Sequence, residues 1–283
     1  MTTLTSAAPA PAHPATAARL VGDTAALLRR SLTRLVRYPS MTVMLVAMPV
    51  VFLLLFVYVF GGTLGDGLPA TQAGAGGAAG GKAAYLTYVV PGILVAALAA
   101  GGNGTAISIA MDLREGFVAR LRTMAVRRAS ILGAHTLASV VQCLLCAVAS
   151  FLVATLIGYR VAGGVGGALG ALGVLALVAL AITWLCVALG TVSDSVETAS
   201  NLPMPLTFLP FLASGFVPTD SMPAGLRWFA EHQPFTPFIE TVRALLDGTP
   251  LGSNLWLTLG WCAVIGVGAS WWSVRSFDRS STR

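Results

Sequence analysis

The sequence predicts an all-α integral membrane protein: six transmembrane helices, an N-terminal interfacial amphipathic helix, and two short outer helices between spans five and six. Three observations carry this. The 283 residues are 56% hydrophobic and only 10% charged, against about 25% charged in a typical soluble domain, so they cannot clothe a water-facing surface. The apolar residues gather in blocks of about 20, the length at which a helix rising about 1.5 Å per residue crosses about 30 Å of hydrocarbon. The basic residues, finally, occupy alternate connecting segments.

Taken in order, residues 1–22 are rich in Ala, Pro and Thr. They predict a disordered tail without the apolar core of a cleavable signal peptide. Residues 23–40 predict the amphipathic helix. In DTAALLRRSLTRLVRY, Asp23 to Tyr38, Leu28, Leu32 and Leu35 fall within about 60° of one another, with Arg30, Arg34 and Arg37 opposite. Asp23 or Thr24 caps the start and Pro39 ends it. A basic two-faced helix ahead of a span lies flat in the membrane interface, arginines toward anionic headgroups. It anchors the chain, or anchors it and also touches a partner.

Residues 41–272 predict the six-helix transmembrane domain, with spans at 41–60, 85–111, 131–157, 168–189, 201–217 and 255–272. None contains Asp, Glu, Lys or Arg, each of which costs about 2.5 to 3.5 kcal/mol at a helix centre. The fifth is interrupted by Pro203, Pro205 and Pro210, so neighbouring groups must satisfy the freed carbonyls. Residues 273–283 form a tail. With the N-terminus inside, the cytoplasmic segments hold Arg19, Arg29, Arg30, Arg34, Arg37, Arg114, Arg120, Arg122, Arg127, Arg128, Arg275, Arg279 and Arg283. Only Lys82, Arg160, Arg227 and Arg243 remain for the other side. This bias predicts a multi-pass plasma-membrane protein with both termini cytoplasmic. It also gives the net charge of +6 a partner in the lipid bilayer rather than in nucleic acid. Cys143, Cys146, Cys186 and Cys262 all fall inside spans, where packing is the usual fate of a cysteine; no metal site is expected.

GGAAGGKA, Gly76 to Ala83, has the spacing of a phosphate-binding loop. Such a loop needs a buried strand before it and a hydroxyl after the lysine to hold magnesium. Here Ala83 takes the hydroxyl's place and the preceding TLGDGLPATQAGA is loop-like. The stretch predicts a connector between spans, and the chain is not expected to be an ATPase or to bind a cofactor itself.

The segment MDLREGFVARLRTMAVRRASILGAHTLA, Met111 to Ala138, spaces Leu113, Phe117, Leu121 and Met124 as one helical stripe flanked by arginines. An apolar stripe between two spans lies on the membrane or docks in a groove of another protein. Beyond Phe216, the outer helices are predicted at 224–231 and 238–246, with Leu226, Phe229 and Ala230 on one apolar face and Phe238, Val242, Leu245 and Leu246 on the other. Glu240 and Arg243, three apart, predict a surface pair worth a few tenths of a kcal/mol.

REGFVARLRT, Arg114 to Thr123, after PGIL, Pro91 to Leu94, resembles the ABC transporter type-2 permease family, in particular its daunorubicin-resistance-like transmembrane subunits common in actinobacteria. FVPTDSMP, Phe216 to Pro223, and QPFTPFIETVRALLDG, Gln233 to Gly248, are similar to that family's outer segment. The chain departs from it in having Met124 after Thr123 where the family commonly has proline, and Gln233 where it commonly has asparagine. The resemblance implies a permease subunit of an ATP-driven exporter, working as a homodimer with a separate cytoplasmic ATP-binding-cassette ATPase subunit. That partner uses ATP and Mg. It docks on the loop 112–130 through Arg114, Glu115, Gly116, Phe117, Arg120, Leu121 and Arg122. The outer helices are implied to be re-entrant.

Apart from His135, the spans hold no ionisable group, which excludes a proton relay or charged ion cage. Asn103, Thr105, Gln142 and Thr183 are the polar candidates along a pathway. The cargo class this favours is a lipophilic drug or antibiotic. A lipid-linked glycan or cell-wall glycolipid is the alternative within transport, and a non-transporting scaffold or assembly factor is the alternative outside it.

Overall fold

Long apolar runs fold into long helices because a backbone without water must satisfy its own hydrogen bonds. The computed structural model describes residues 39–68, 81–114 and 128–280, and among them every regular element is helical. The amphipathic helix predicted before Pro39 lies outside the described residues.

Helix α1 (Pro39–Leu55) runs through a π-helical turn (Phe56–Phe60) into α2 (Gly61–Asp66). Then come α3 (Gly81–Arg114), α4 (Arg128–Ile157) and α5 (Gly164–Val192). The predicted fifth span is not one helix. It is broken into α6 (Val196–Asn201), α7 (Met204–Phe208) and a 3₁₀ turn (Leu209–Leu212), followed by irregular backbone. Pro203, Pro205 and Pro210 supply no N–H, and each ring crowds the preceding turn. Two short helices, α8 (Ala224–His232) and α9 (Phe235–Asp247), precede the last long helix, α10 (Asn254–Ser280). Five helical stretches are long and apolar enough to cross a membrane: 45–66, 81–111, 135–157, 164–192 and 254–276.

The broken stretch still runs the length of the bundle. Its Thr207 bonds Asn103 near one end of α3 and its Phe216 bonds Tyr85 near the other. Those α3 positions are 18 residues, about 27 Å, apart along the helix. Six passages result, one of them discontinuous, and the two ends of the described chain fall at the same end of the bundle as Arg114 and Arg128.

Helix α3 is the hub. Tyr85, Tyr88, Val89, Ile93, Val95 and Leu98 are all buried, and the helix packs on α1, α4, α5 and the broken stretch. Gly101 and Gly102 let neighbours close in. A Cβ at Gly101 would sit 2.8 Å from the Cys143 sulfur of α4, and one at Gly102 would sit 3.0 Å from the Cys186 sulfur of α5. The helix runs unbroken through both. The four cysteines are free and buried, and the Cys143 thiol approaches the Leu98 carbonyl at 3.5 Å.

Large apolar side chains stay uncovered around the rim, Leu156 at 86% and Trp256 at 74% among them, as lipid-facing helices require. Helix α9 buries its predicted face, Phe238, Val242 and Leu246. Helix α8 buries only Ala230 and leaves Leu226 and Phe229 exposed. Lys82 lies in the first turn of α3 with its ammonium 3.5 Å from the Tyr58 ring centroid, so the lysine of the phosphate-loop-like stretch is engaged in a cation–π contact.

Candidate functional site

Where the chain leaves helical geometry inside a bundle, its carbonyls must find partners elsewhere. Residues Leu209 to Val217 find them in side chains of three other elements. Gln233 Nε2 donates to the Leu209 carbonyl at 3.3 Å. The Tyr88 hydroxyl donates to the Ser214 carbonyl at 2.6 Å and the Tyr85 hydroxyl to that of Phe216 at 3.1 Å. Arg243 reaches in from α9, giving one Nη2 to the Ser214 carbonyl at 3.0 Å and to the Tyr88 carbonyl at 3.1 Å. Its guanidinium also lies 4.2 Å from the Tyr88 ring centroid.

Local chemistry sets up each partner. Pro91 leaves the Thr87 carbonyl of α3 without its helical donor, one residue before the Tyr88 carbonyl that Arg243 meets. Gly92 and Gly215 bring the two backbones together: a Cβ on Gly92 would sit 2.6 Å from the Gly215 carbonyl oxygen. Pro234 stands at the N-cap of α9, and Gly248, at φ 69°, closes the helix in the left-handed region. The aromatic rings of Phe52, Phe56, Phe211 and Phe216 pack beneath, Phe211 and Phe216 stacked at 4.5 Å and Phe56 against Phe216 at 4.8 Å.

The Glu240 and Arg243 pair forms as predicted, but it is no surface pair. The Arg243 side chain is only 11% exposed. Burial works against its charge, and Glu240, Tyr88 and Asp247 more than offset that, holding the guanidinium above the ordinary arginine range. Asp247 is the weak member. Burial pushes its carboxyl up, Arg243 counteracts, and its Oδ1 is buried without a partner in the protein.

The other polar feature is Asn103 on α3, whose Nδ2 donates to Thr207 Oγ1 of α7 at 2.8 Å. Its Oδ1 and the Thr105 hydroxyl are buried without a protein partner. Thr183 bonds only the Leu180 carbonyl of its own helix, at 3.0 Å, and Gln142 is half-buried on α4. So of the four polar candidates only Asn103 is tied to the broken stretch. Arg114 closes α3; Glu115, Gly116, Phe117, Arg120, Leu121, Arg122 and the interfacial Arg30, Arg34 and Arg37 lie outside the described residues. No cluster of metal-ligating side chains occurs among the described residues.

Sequence reasoning missed Tyr85, Tyr88, Gln233 and the true setting of Arg243. The available signal was the proline-interrupted stretch itself, since freed carbonyls demand donors, and tyrosine, glutamine and arginine flank it in neighbouring elements.

A family model described as ABC-2 type transporter matches residues 23–246. A daunorubicin resistance ABC transporter permease protein of Streptomyces coeruleorubidus is 28% identical over 233 residues, covering 82% of this chain and 77% of that protein. A probable doxorubicin resistance ABC transporter permease protein of Mycobacterium tuberculosis is 25% identical over 187 residues, covering 64% of this chain and 67% of its own.

Proposed function

Because the chain belongs to the ABC-2 type transporter family, we propose that it is the membrane subunit of an ATP-driven exporter of lipophilic drugs or antibiotics. The observation that carries this reading is the likeness, over most of both chains, to a permease named for daunorubicin resistance. The interior supports it. Asn103 and Thr207 offer neutral hydrogen-bonding groups where α3 meets the broken stretch, chemistry suited to an amphipathic molecule arriving from lipid and unsuited to an ion.

The energy comes from a separate cytoplasmic ATPase subunit, which uses ATP and Mg and docks on the loop 112–130. The apolar knob of Phe117 and Leu121, ringed by Glu115, Arg120 and Arg122, transmits its rigid-body push. Two copies of the chain form the pathway. The Arg114 and Arg128 end of the bundle faces the cytoplasm with both termini, which places α8 and α9 outside, re-entrant in the outer leaflet.

The test is daunorubicin accumulation in cells making this chain together with an ATP-binding-cassette ATPase subunit from the same organism. The pair is expected to lower accumulation severalfold, and the ATPase to co-purify with the chain. Glu115→Arg and Phe117→Ala should each restore accumulation while membrane insertion stays intact. Unchanged accumulation with the wild-type pair sinks the drug reading, and failure of the ATPase to co-purify favours a scaffold.

A further inference from the structure

We infer that Arg243 is a positioning residue that clamps the irregular strap 213–217 over one end of α3, and that export requires this clamp to close and release in turn. The inference rests on the exporter reading above and names the side chain that governs its exit.

Three features carry it. First, Arg243 joins three elements through one guanidinium: Ser214 on the strap, Tyr88 on α3, and Glu240 on its own helix α9. Two of the three acceptors are backbone carbonyls, so the clamp depends on where the backbones sit. Second, at its closest approach the strap meets α3 backbone to backbone. Gly215 lies against Gly92, each where an added Cβ would fall under 3 Å from the other's backbone. The Tyr85 and Tyr88 hydroxyls, the Phe216 ring and Arg243 are what hold this backbone joint together. Third, the docked arrangement leaves hydrogen-bonding capacity unused. Arg243 Nε and Ser214 Oγ are buried with no partner in the protein. Unpaired polar atoms in a buried network are costly, so the docked arrangement is held at some expense. Helix α9 carries the arginine and is itself tied to α10 through Thr241 and Thr258. It is 13 residues long and is bounded by Pro234 and the left-handed Gly248.

The neighbouring bonds set the scale of the effect. Tyr88 and Tyr85 also hold the strap, so losing Arg243 loosens it rather than unfolding the bundle. The planar fork matters as well as the charge, because it must meet two carbonyls and a carboxylate at once.

The experiment uses the full chain in lipid nanodiscs. Ala213 on the strap and Ala179 in α5 are both fully buried. Each is replaced in turn by cysteine, and its rate of reaction with a soluble maleimide is measured against the slow background of the four buried native thiols. Arg243→Gln is expected to speed labelling at position 213 about tenfold, the factor that loss of one charge-assisted hydrogen bond carries, and to leave position 179 unchanged. An unchanged rate at 213 overturns the clamp; an equal rise at both positions overturns it too, because the arginine then merely holds the fold. Where the glutamine variant does not fold, Arg243→Lys carries the same comparison, keeping the charge without the fork.

A second arm follows daunorubicin accumulation and ATP hydrolysis in cells with the ATPase subunit. With Arg243→Gln, hydrolysis is expected to continue while accumulation rises towards that of cells lacking the chain. Wild-type export in that variant overturns the positioning role. A wild-type pair that moves no daunorubicin overturns the exporter reading instead, and leaves the clamp judged by labelling alone.

Discussion

The five long helical stretches and the broken passage 196–217 cross the same bundle by different physics. The long helices satisfy their backbones internally and meet through apolar and small side chains, as where Gly101 and Gly102 admit the sulfurs of Cys143 and Cys186. The broken passage cannot close its own backbone. Tyr85, Tyr88, Gln233 and Arg243 close it from outside. One kind of crossing depends on shape and tolerates polar loss; the other depends on a few donors and tolerates little. A passage held by a handful of replaceable bonds is also the one that can open, since local opening draws on the regions with least internal closure.

The joint between the two regions should show the largest effect. Gly92→Val places a branched side chain where a Cβ alone would lie 2.6 Å from the Gly215 carbonyl oxygen, and both partners there are backbone. Neither can step aside by changing rotamer, so the cost is expected at about 3 kcal/mol, the upper end of ordinary overpacking. Detergent-purified variant should run as aggregate on size exclusion. Val95→Leu, an enlargement within the helix-to-helix region, should remain monodisperse. Equal behaviour of the two variants would erase the distinction drawn above.

A gentler comparison removes one hydroxyl from each region. Tyr85→Phe takes away a donor to the Phe216 carbonyl, a group with no helical partner, and should cost about 1 kcal/mol or somewhat more. Thr183→Val takes away a hydroxyl that bonds only the already paired Leu180 carbonyl of its own helix, and should be close to neutral. Thermal unfolding followed by tryptophan fluorescence separates them. A Thr183 variant as destabilised as the Tyr85 variant would show that the two crossings are alike.

How much of this was legible in the sequence follows the same divide. The runs at 85–111, 131–157 and 168–189 predict helices that the structure extends by a few residues at their ends, because hydropathy and the absence of charge act locally. The break at 201–217 was visible too, in Pro203, Pro205 and Pro210. Its repair was not. Tyr85 and Tyr88 lie more than 120 positions from the carbonyls they serve, and nothing local marks a tyrosine in a span as a donor rather than a core side chain. The spacing of Glu240 and Arg243 predicts only that they pair on one helix surface; the burial of Arg243 comes from α3 and the strap, which meet it through the Tyr88 and Ser214 carbonyls. The segment with the sharpest family signature, Arg114 to Thr123, lies almost wholly outside the described residues, so its coupling role rests on sequence pattern.

The smallest effect belongs to Asp247, at the edge of the clamp. Its carboxyl has a raised pKa, chiefly through burial, with Arg243 opposing and Glu240 adding to the shift; the Tyr159 phenol, also raised by burial and by Asp247 itself, stands nearby. For an acid whose pKa is higher folded than unfolded, the native state binds the proton more tightly, so stability is lost as pH rises through the window between the two values and is regained on acidification. In its charged form Asp247 therefore burdens the fold, its Oδ1 without a partner in the protein. Asp247→Asn should raise the melting temperature at pH 7, and the gain should shrink as pH falls toward the ordinary aspartate range. Arg243 complicates the substitution by losing a nearby counter-charge, yet Glu240 remains bonded to it, so the sign is expected to hold. Melting curves of both proteins across that pH range decide it: a constant difference, or a variant less stable at pH 7 than at acid pH relative to wild type, would mean that Asp247 holds the clamp shut rather than straining it.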